Sequence, residues 1–281
     1  MQKIWVCGAR GQIGQAVNDV VDKLEFEMLD TDVDDLDVTD TDEVLRFGEM
    51  NRPDIIINCS GMTDISSCEE NPSQAFKVNA LGARNLAIVA AKMQAKMVQL
   101  STDDVFDGKS TEPYTEFDIT NPGTVYGKSK LAGENYVKEF TTKHFIVRST
   151  WVYGKGQNFI NGFLKKVDAG EQLLIASDQF GSPTSANELA RFLLHLVHTS
   201  EYGTYHATNK GVCSRYAFAQ EILKMTGKTA SMQPVPTVMS DFSKVRPAYA
   251  VLDNFIMSMV PIYDFPDWQD SLTEGGLHHA E

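Results

Sequence analysis

The chain has 281 residues, 42% hydrophobic and 22% charged, with a formal net charge of −13. That is globular composition, and the acidic balance argues against nucleic acid and anionic membranes as main partners. No run approaches the roughly 18 apolar residues of a membrane span, and the four cysteines (Cys7, Cys59, Cys68, Cys213) form no C-x-x-C pair, so reduced thiols are expected.

An apolar strand is expected over 3–7, which leaves no room for a leader peptide and points to the cytoplasm. It runs into Gly8-Ala9-Arg10-Gly11-Gln12-Ile13-Gly14, and a helix is expected over 12–23. Strand, glycine turn, helix is the setting of a dinucleotide fingerprint, here spaced G-x-x-G-x-x-G. Glycines let the backbone turn tightly and approach a pyrophosphate, and the helix start offers it free N–H groups.

A second strand is expected over 26–30, then a helix over 40–50 whose Asp40 and Glu43 have capping-box spacing. Strands over 55–59, 97–100 and 144–148 alternate with helices over 72–92 and 126–140. This alternation predicts a Rossmann-type, doubly wound parallel α/β sheet, with its ligand at the carboxyl ends of the strands. A helix over 188–198 and a strand over 204–207 return to that sheet, and a further helix covers 215–226. The segment 233–253 has three prolines and no clear period. The expected division is a cofactor domain of residues 1–148 and about 186–208, with a smaller, discontinuous substrate lobe of 149–185 and 209–281. The tail 277–281 is expected to fray, and His278-His279 is too little for a metal site, so no metal is expected.

Tyr126 and Lys130 stand four residues apart, on one face of their helix. An ammonium near a tyrosine favours the phenolate, lowers its pKa and suits it to proton transfer at a carbonyl oxygen. Thr102 follows the fourth strand, where its hydroxyl could hold that carbonyl.

This Thr/Tyr/Lys set resembles the extended short-chain dehydrogenase/reductase superfamily. Ser-Thr-Asp-Asp-Val-Phe-Asp-Gly from Ser101, Tyr-Gly-Lys-Ser-Lys-Leu-Ala-Gly-Glu from Tyr126 and Ile-Val-Arg-Ser-Thr-Trp-Val-Tyr-Gly from Ile146 narrow the resemblance. With Asp178-Gln179-Phe180-Gly181-Ser182-Pro183-Thr184, Gly203-Thr204-Tyr205-His206 and Arg246-Pro247-Ala248-Tyr249, they resemble the dTDP-4-dehydrorhamnose reductase family from about residue 3 to 270.

The resemblance implies reduction of the 4-keto group of a dTDP-linked 6-deoxyhexose to dTDP-L-rhamnose, with hydride from NADH or NADPH. It implies that Tyr126 gives the proton, that Lys130 holds the nicotinamide ribose and lowers the Tyr126 pKa, and that Thr102 binds the carbonyl. It places Gly8, Gly11, Gln12, Ile13, Gly14, Asp37, Val38, Cys59, Ser60, Gly61 and Thr63 at the cofactor. Asp103, Asp104, Trp151 as a wall and Arg246 on the diphosphate would face the substrate. Asp30, at the strand end, would favour NAD by binding the ribose 2′-hydroxyl, whereas Arg10 would attract the 2′-phosphate of NADP. Homodimerisation stays open.

Three departures stand out. Asp104 replaces a usual tyrosine, 61–67 departs from the family pattern, and Arg215 stands where tryptophan is common. They put the identity of the sugar in question. Asp103-Asp104 also fits a nucleotide-sugar dehydratase or epimerase. A non-catalytic subunit like the regulatory one of methionine adenosyltransferase is a further alternative.

Overall fold

The computed structural model describes residues 1–240 and 246–272. In chain order the first elements are β1 (Gln2–Cys7), α1 (Gln12–Val20), β2 (Phe26–Thr31), α2 (Thr41–Asn51), β3 (Ile55–Asn58), α3 (Ile65–Glu70), α4 (Pro72–Phe76), α5 (Ala83–Met93), β4 (Lys96–Thr102), α6 (Val125–Phe140) and β5 (His144–Ser149). There follow β6 (Val152–Tyr153), α7 (Phe159–Asp168), β7 (Leu173–Ala176), β8 (Phe180–Gly181), β9 (Thr184–Ser185), α8 (Ala186–His198) and β10 (Gly203–His206). The last are β11 (Cys213–Ser214), α9 (Arg215–Thr226), β12 (Met232–Val235), β13 (Tyr249–Ala250), α10 (Phe255–Met259) and α11 (Trp268–Ser271).

Six parallel strands form the main sheet in the order β10-β5-β4-β3-β1-β2. The inner strands are buried on both faces, which is why they read as continuous apolar runs such as Ile55-Ile56-Ile57. Val17 of α1 and Leu189 and Leu193 of α8 pack on one face, while Val44, Leu86 and Val137 of α2, α5 and α6 pack on the other. The chain winds outward both ways from β1 and β3, so their carboxyl ends open a crevice at a switch point.

Smaller sheets, β11-β8-β13, β12-β7 and β6-β9, surround a separate aromatic cluster that includes Phe163, Phe218 and Trp268. Within 233–253 the structure resolves the pattern into β12, a 3-10 turn at Thr237–Met239 and β13. Residues 241–245, the tail 277–281 and His278-His279 lie outside the described residues.

The single helix expected over 72–92 is interrupted by a π-helical turn, Lys77–Gly82. Asn79 in that turn is buried; its Nδ2 donates to Met62 O and Ser129 Oγ, each at 2.9 Å, and its Oδ1 accepts from Met62 N at 2.8 Å. One polar side chain thus ties the loop after β3 to α6, and its cost is the local change of helical pitch. Asp40 caps α2 as expected, accepting from Asp42 N and Glu43 N, but Glu43 reaches past it to accept from Asp37 N at 3.1 Å.

Candidate active site

Gly8 turns with φ +77°, and a Cβ there would lie 2.7 Å from Ser60 N. Its N–H donates to Thr31 O at 2.8 Å, and Gly11 N donates to Gly8 O at 3.1 Å, closing the turn. Gly14 does not line the crevice; a Cβ there would meet Gly8 O at 2.3 Å, so its absence lets α1 pack against the turn. No side chain caps the start of α1, and Gln12 Nε2 is buried without a partner. A backbone cradle, an uncapped helix start and an orphaned amide donor together fit an anionic dinucleotide.

A cavity of about 590 Å³ opens here, walled by Gly8, Gly11, Asp37, Val38 and Gly61. Arg10 borders it, but its guanidinium is held by Asp34 at 2.7 Å and Asp35 at 2.8 Å, and its N–H donates to Asp32 at 2.8 Å. The structure does not bring Asp30 to this cavity. On a strand successive side chains point to opposite faces; Thr31 turns inward to accept from Trp5 Nε1 at 2.8 Å, and Asp30 turns outward to bond Asn18. The acid that lines the cavity is Asp32, one residue beyond β2.

Cys59 and Ser60 are shared with a second cavity of about 480 Å³. Gln12, Ile13 and Thr63 border its near side, and Thr102, Asp103, Tyr126 and Lys130 lie deeper in. Helix α6 starts at the Thr124 cap, which accepts from Gly127 N at 2.9 Å. Gly127 has no room for a side chain, since a Cβ would lie 2.0 Å from Asp104 O. That close approach brings Tyr126 within hydrogen-bond reach of Thr102. Thr102 Oγ1 donates to Asp103 Oδ1 at 3.2 Å.

The electrostatics correct one expectation. Burial pushes the Tyr126 hydroxyl above its ordinary pKa, the Asp104 charge pushes the same way, and Arg246 and Thr102 oppose them. Lys130 is not among the groups that pull it down. Burial lowers Lys130 itself to about 8, against the attraction of Glu134 and Cys59. Glu134, one turn further on α6, is fully buried; it accepts from Arg148 Nε at 2.8 Å, Arg148 Nη2 at 2.7 Å and Ser101 Oγ at 2.6 Å. Burial and the neighbouring Asp104 push Asp103 up to about 7, while Arg246 pulls it down.

Asp104 does not face this cavity. It is 1% exposed, its Oδ2 accepts from Arg246 Nη1 at 3.2 Å and its Oδ1 has no partner. Burial raises its pKa and Arg246 lowers it. Local geometry explains this: Asp103 and Asp104 are consecutive residues of the 3-10 turn after β4, about a third of a turn apart, so they point to different sides. Arg246 does line the cavity, so that one carboxylate already engages it.

Trp151 forms part of the wall with φ +46°, a left-handed backbone that a tryptophan rarely adopts. The Arg215 guanidinium lies 3.4 Å over its ring and 4.7 Å from Phe159. In the sequence Arg215 stands out as one of the departures expected in part to border the substrate pocket, with no role of its own. Sequence reasoning missed Asp32, Phe159 and Asn79; for Asp32 the signal was there, as the next acid after the strand. Among the described residues no group of three or more His, Cys, Asp or Glu is placed to hold a metal, and no helix is long and apolar enough to cross a membrane.

The RmlD substrate binding domain family matches residues 1–276. The spore coat polysaccharide biosynthesis protein SpsK of Bacillus subtilis is 34% identical over 275 residues, 98% of this chain and 96% of that protein. A dTDP-4-dehydrorhamnose reductase structure from Clostridium acetobutylicum superposes with a TM-score of 0.94 at 40% identity, covering 98% of both chains. That of the Bacillus anthracis enzyme, in complex with NADP, gives 0.93 at 35% identity over 97% of this chain and 98% of that one.

Proposed function

Because the chain belongs to the RmlD substrate binding domain family, we propose that it reduces the 4-keto group of a dTDP-linked 4-keto-6-deoxyhexose with NADH or NADPH. The observation that carries this is the meeting of Thr102, Tyr126 and Lys130 in a cavity that shares Cys59 and Ser60 with the glycine-turn crevice. The reduced dinucleotide supplies a hydride when bound. Gly8, Gly11, Ile13 and the start of α1 hold its pyrophosphate, and Asp37 and Val38 border its adenine end.

Tyr126 gives its proton to the carbonyl oxygen as negative charge builds there. Its hydroxyl is protonated at neutral pH and so holds the proton to give, and its raised pKa makes the transfer depend on the charge that builds at the carbonyl oxygen. Thr102 shares a hydrogen bond with Tyr126 and fixes the oxygen beside it. Lys130, with a pKa near 8, is charged at neutral pH and binds the nicotinamide ribose. Residues 1–148 and about 186–208 act as the cofactor domain, and 149–185 with 209–240 form the lobe on the sugar side.

The dehydratase alternative needs two acids at the sugar, and Asp104 is turned away onto Arg246. The experiment is cofactor oxidation with a panel of dTDP-4-keto-6-deoxy sugars, using both NADH and NADPH. Turnover is expected with at least one sugar. No turnover in folded, cofactor-bound protein overturns the reading.

A further inference from the structure

Arg215 brings a charge into the substrate side that proton transfer does not use. It is the first residue of α9 and is 4% exposed, yet it lines the cavity. Its Nε is buried without a hydrogen-bond partner, and among the described residues no carboxylate forms an ion pair with it. Burial lowers its pKa to about 9 and nearby Arg246 adds to this, opposed by Cys213 and Asp103. Asp103 acts on this guanidinium only at a distance; a buried charge with no carboxylate in direct contact is costly, and a bound anion would offset that cost.

The stack also changes what Trp151 offers. A Cβ on Gly181 would lie 2.5 Å from indole Cε2 and 2.7 Å from Cδ2, atoms of the ring-fusion bond reachable only from a face. The guanidinium, 3.4 Å from the ring centroid, cannot share that side. Gly181 and Arg215 therefore cover opposite faces of the indole. A sugar meets the rim of Trp151 and the edge of the guanidinium, not an open aromatic platform. Sandwiched against Trp151 and Phe159, the guanidinium is held in one orientation, which suits two-pronged binding of phosphate or carboxylate. Arg246, the other guanidinium of this wall, already pairs with Asp104.

We propose that Arg215 is a specificity-determining residue that seats an oxyanion group of the nucleotide sugar against the Trp151 wall. The inference rests on the nucleotide-sugar reading above. The oxyanion has two sources, the diphosphate bridge or a carboxylate on the sugar ring, and both present the same oxygen pair.

The test is calorimetry on NADPH-loaded protein with thymidine, dTDP and a dTDP-linked uronic acid. It compares the native chain with Arg215→Gln and with Arg215→Trp, which keeps a flat stack and removes the charge. If the diphosphate is the group, both variants weaken dTDP by about tenfold or more and leave thymidine unchanged. If a ring carboxylate is the group, dTDP is unchanged and only the uronic acid weakens. Should Arg215→Gln fail to fold by thermal unfolding, Arg215→Trp carries the comparison. Native protein that binds dTDP, with variants equal to it for every ligand, overturns the role of Arg215 alone. Native protein that binds none of the dTDP ligands overturns the nucleotide-sugar reading and this inference together.

Discussion

At the Gly8 end the cleft is made of backbone, and at the Tyr126 end it is made of side chains. The core of the first end is contiguous: β1, the glycine turn and the start of α1 lie within residues 2–14, and Asp32, Asp37, Val38 and Ser60-Gly61 complete the walls. The second draws Thr102 from β4, Asp103 from the 3-10 turn after it, Tyr126 and Lys130 from α6, Trp151 from the turn after β5, Arg215 from α9 and Arg246 from the segment before β13. Backbone geometry tolerates almost no substitution but is indifferent to the charge of its neighbours. Side-chain geometry allows replacement, and each replacement can change the ligand. Asp104 and Arg215 belong to the second end, while the third departure, 61–67, reaches the first cavity through Gly61 and Met62, so what is particular to this chain is concentrated on the substrate side without being confined to it.

The largest effect belongs to the proton donor. Tyr126→Phe keeps the ring and removes the hydroxyl, so kcat is expected to fall about 10²-fold or more. Cofactor affinity, measured by fluorescence titration, should stay near native, because the glycine turn is untouched. Near-native turnover would mean that the donor is elsewhere in the cavity.

Gly8→Ala is the counterpart at the backbone end. The new Cβ meets Ser60 N at 2.7 Å and Ser60 Cα at 2.8 Å, with φ at +77°. Relief requires β1 and β3 to part at the crevice. Strain of this kind costs about 1–3 kcal/mol, so NADPH affinity should weaken roughly 10- to 100-fold. Unchanged affinity for both dinucleotides would remove the backbone cradle from the account.

A finer test concerns the acids after β2. Asp32 lines the cavity and Asp30 does not. Asp32→Ala should shift the ratio of dissociation constants toward NADPH by up to about fivefold, as befits a half-buried charge open to solvent screening. Asp30→Ala should leave the ratio alone. The reverse result would mean that the strand-end acid reaches the ribose in the bound state.

These tests follow the line between what the sequence made legible and what it did not. The glycine turn, the parallel sheet, the capped start of α2 and the Tyr126–Lys130 face of α6 are local, and local pattern is what a sequence displays. Asp30 failed because an acid was assigned by its place in the chain, while the pleat decided which side it faced. Asp104 failed for a related reason: its partner, Arg246, is 142 residues away, and no periodicity announces that pairing. Arg215 on Trp151 is likewise a tertiary contact, readable beforehand only as an unusual residue type. The π turn at Asn79 is set by a buried amide bonded to Met62 and Ser129, tertiary partners that an apolar period does not display.

The last test is a slope with pH, and it isolates the charge of the Tyr126 end. Burial and Asp104 hold Asp103 at about 7, against an ordinary value of 3.8. Between those two values the unfolded chain has released a proton that the folded chain keeps. The folded state therefore binds more protons, and stability from this group falls as pH rises through that window. Above it the penalty is complete and constant. Asp103→Asn cannot ionise, so it removes the penalty while keeping an acceptor for the Thr102 hydroxyl. The variant should match native protein at about pH 4 and gain in Tm toward about pH 8, flattening the curve between. Removing the charge at 103 also leaves Asp104 to ionise against Arg246 alone, which reinforces the gain. Lys130, lowered to about 8 from 10.5, titrates in a higher window and does not mimic the effect. Parallel native and variant curves would show that Asp103 ionises in the folded protein as it does in the unfolded chain, and that the raised value does not describe this carboxyl.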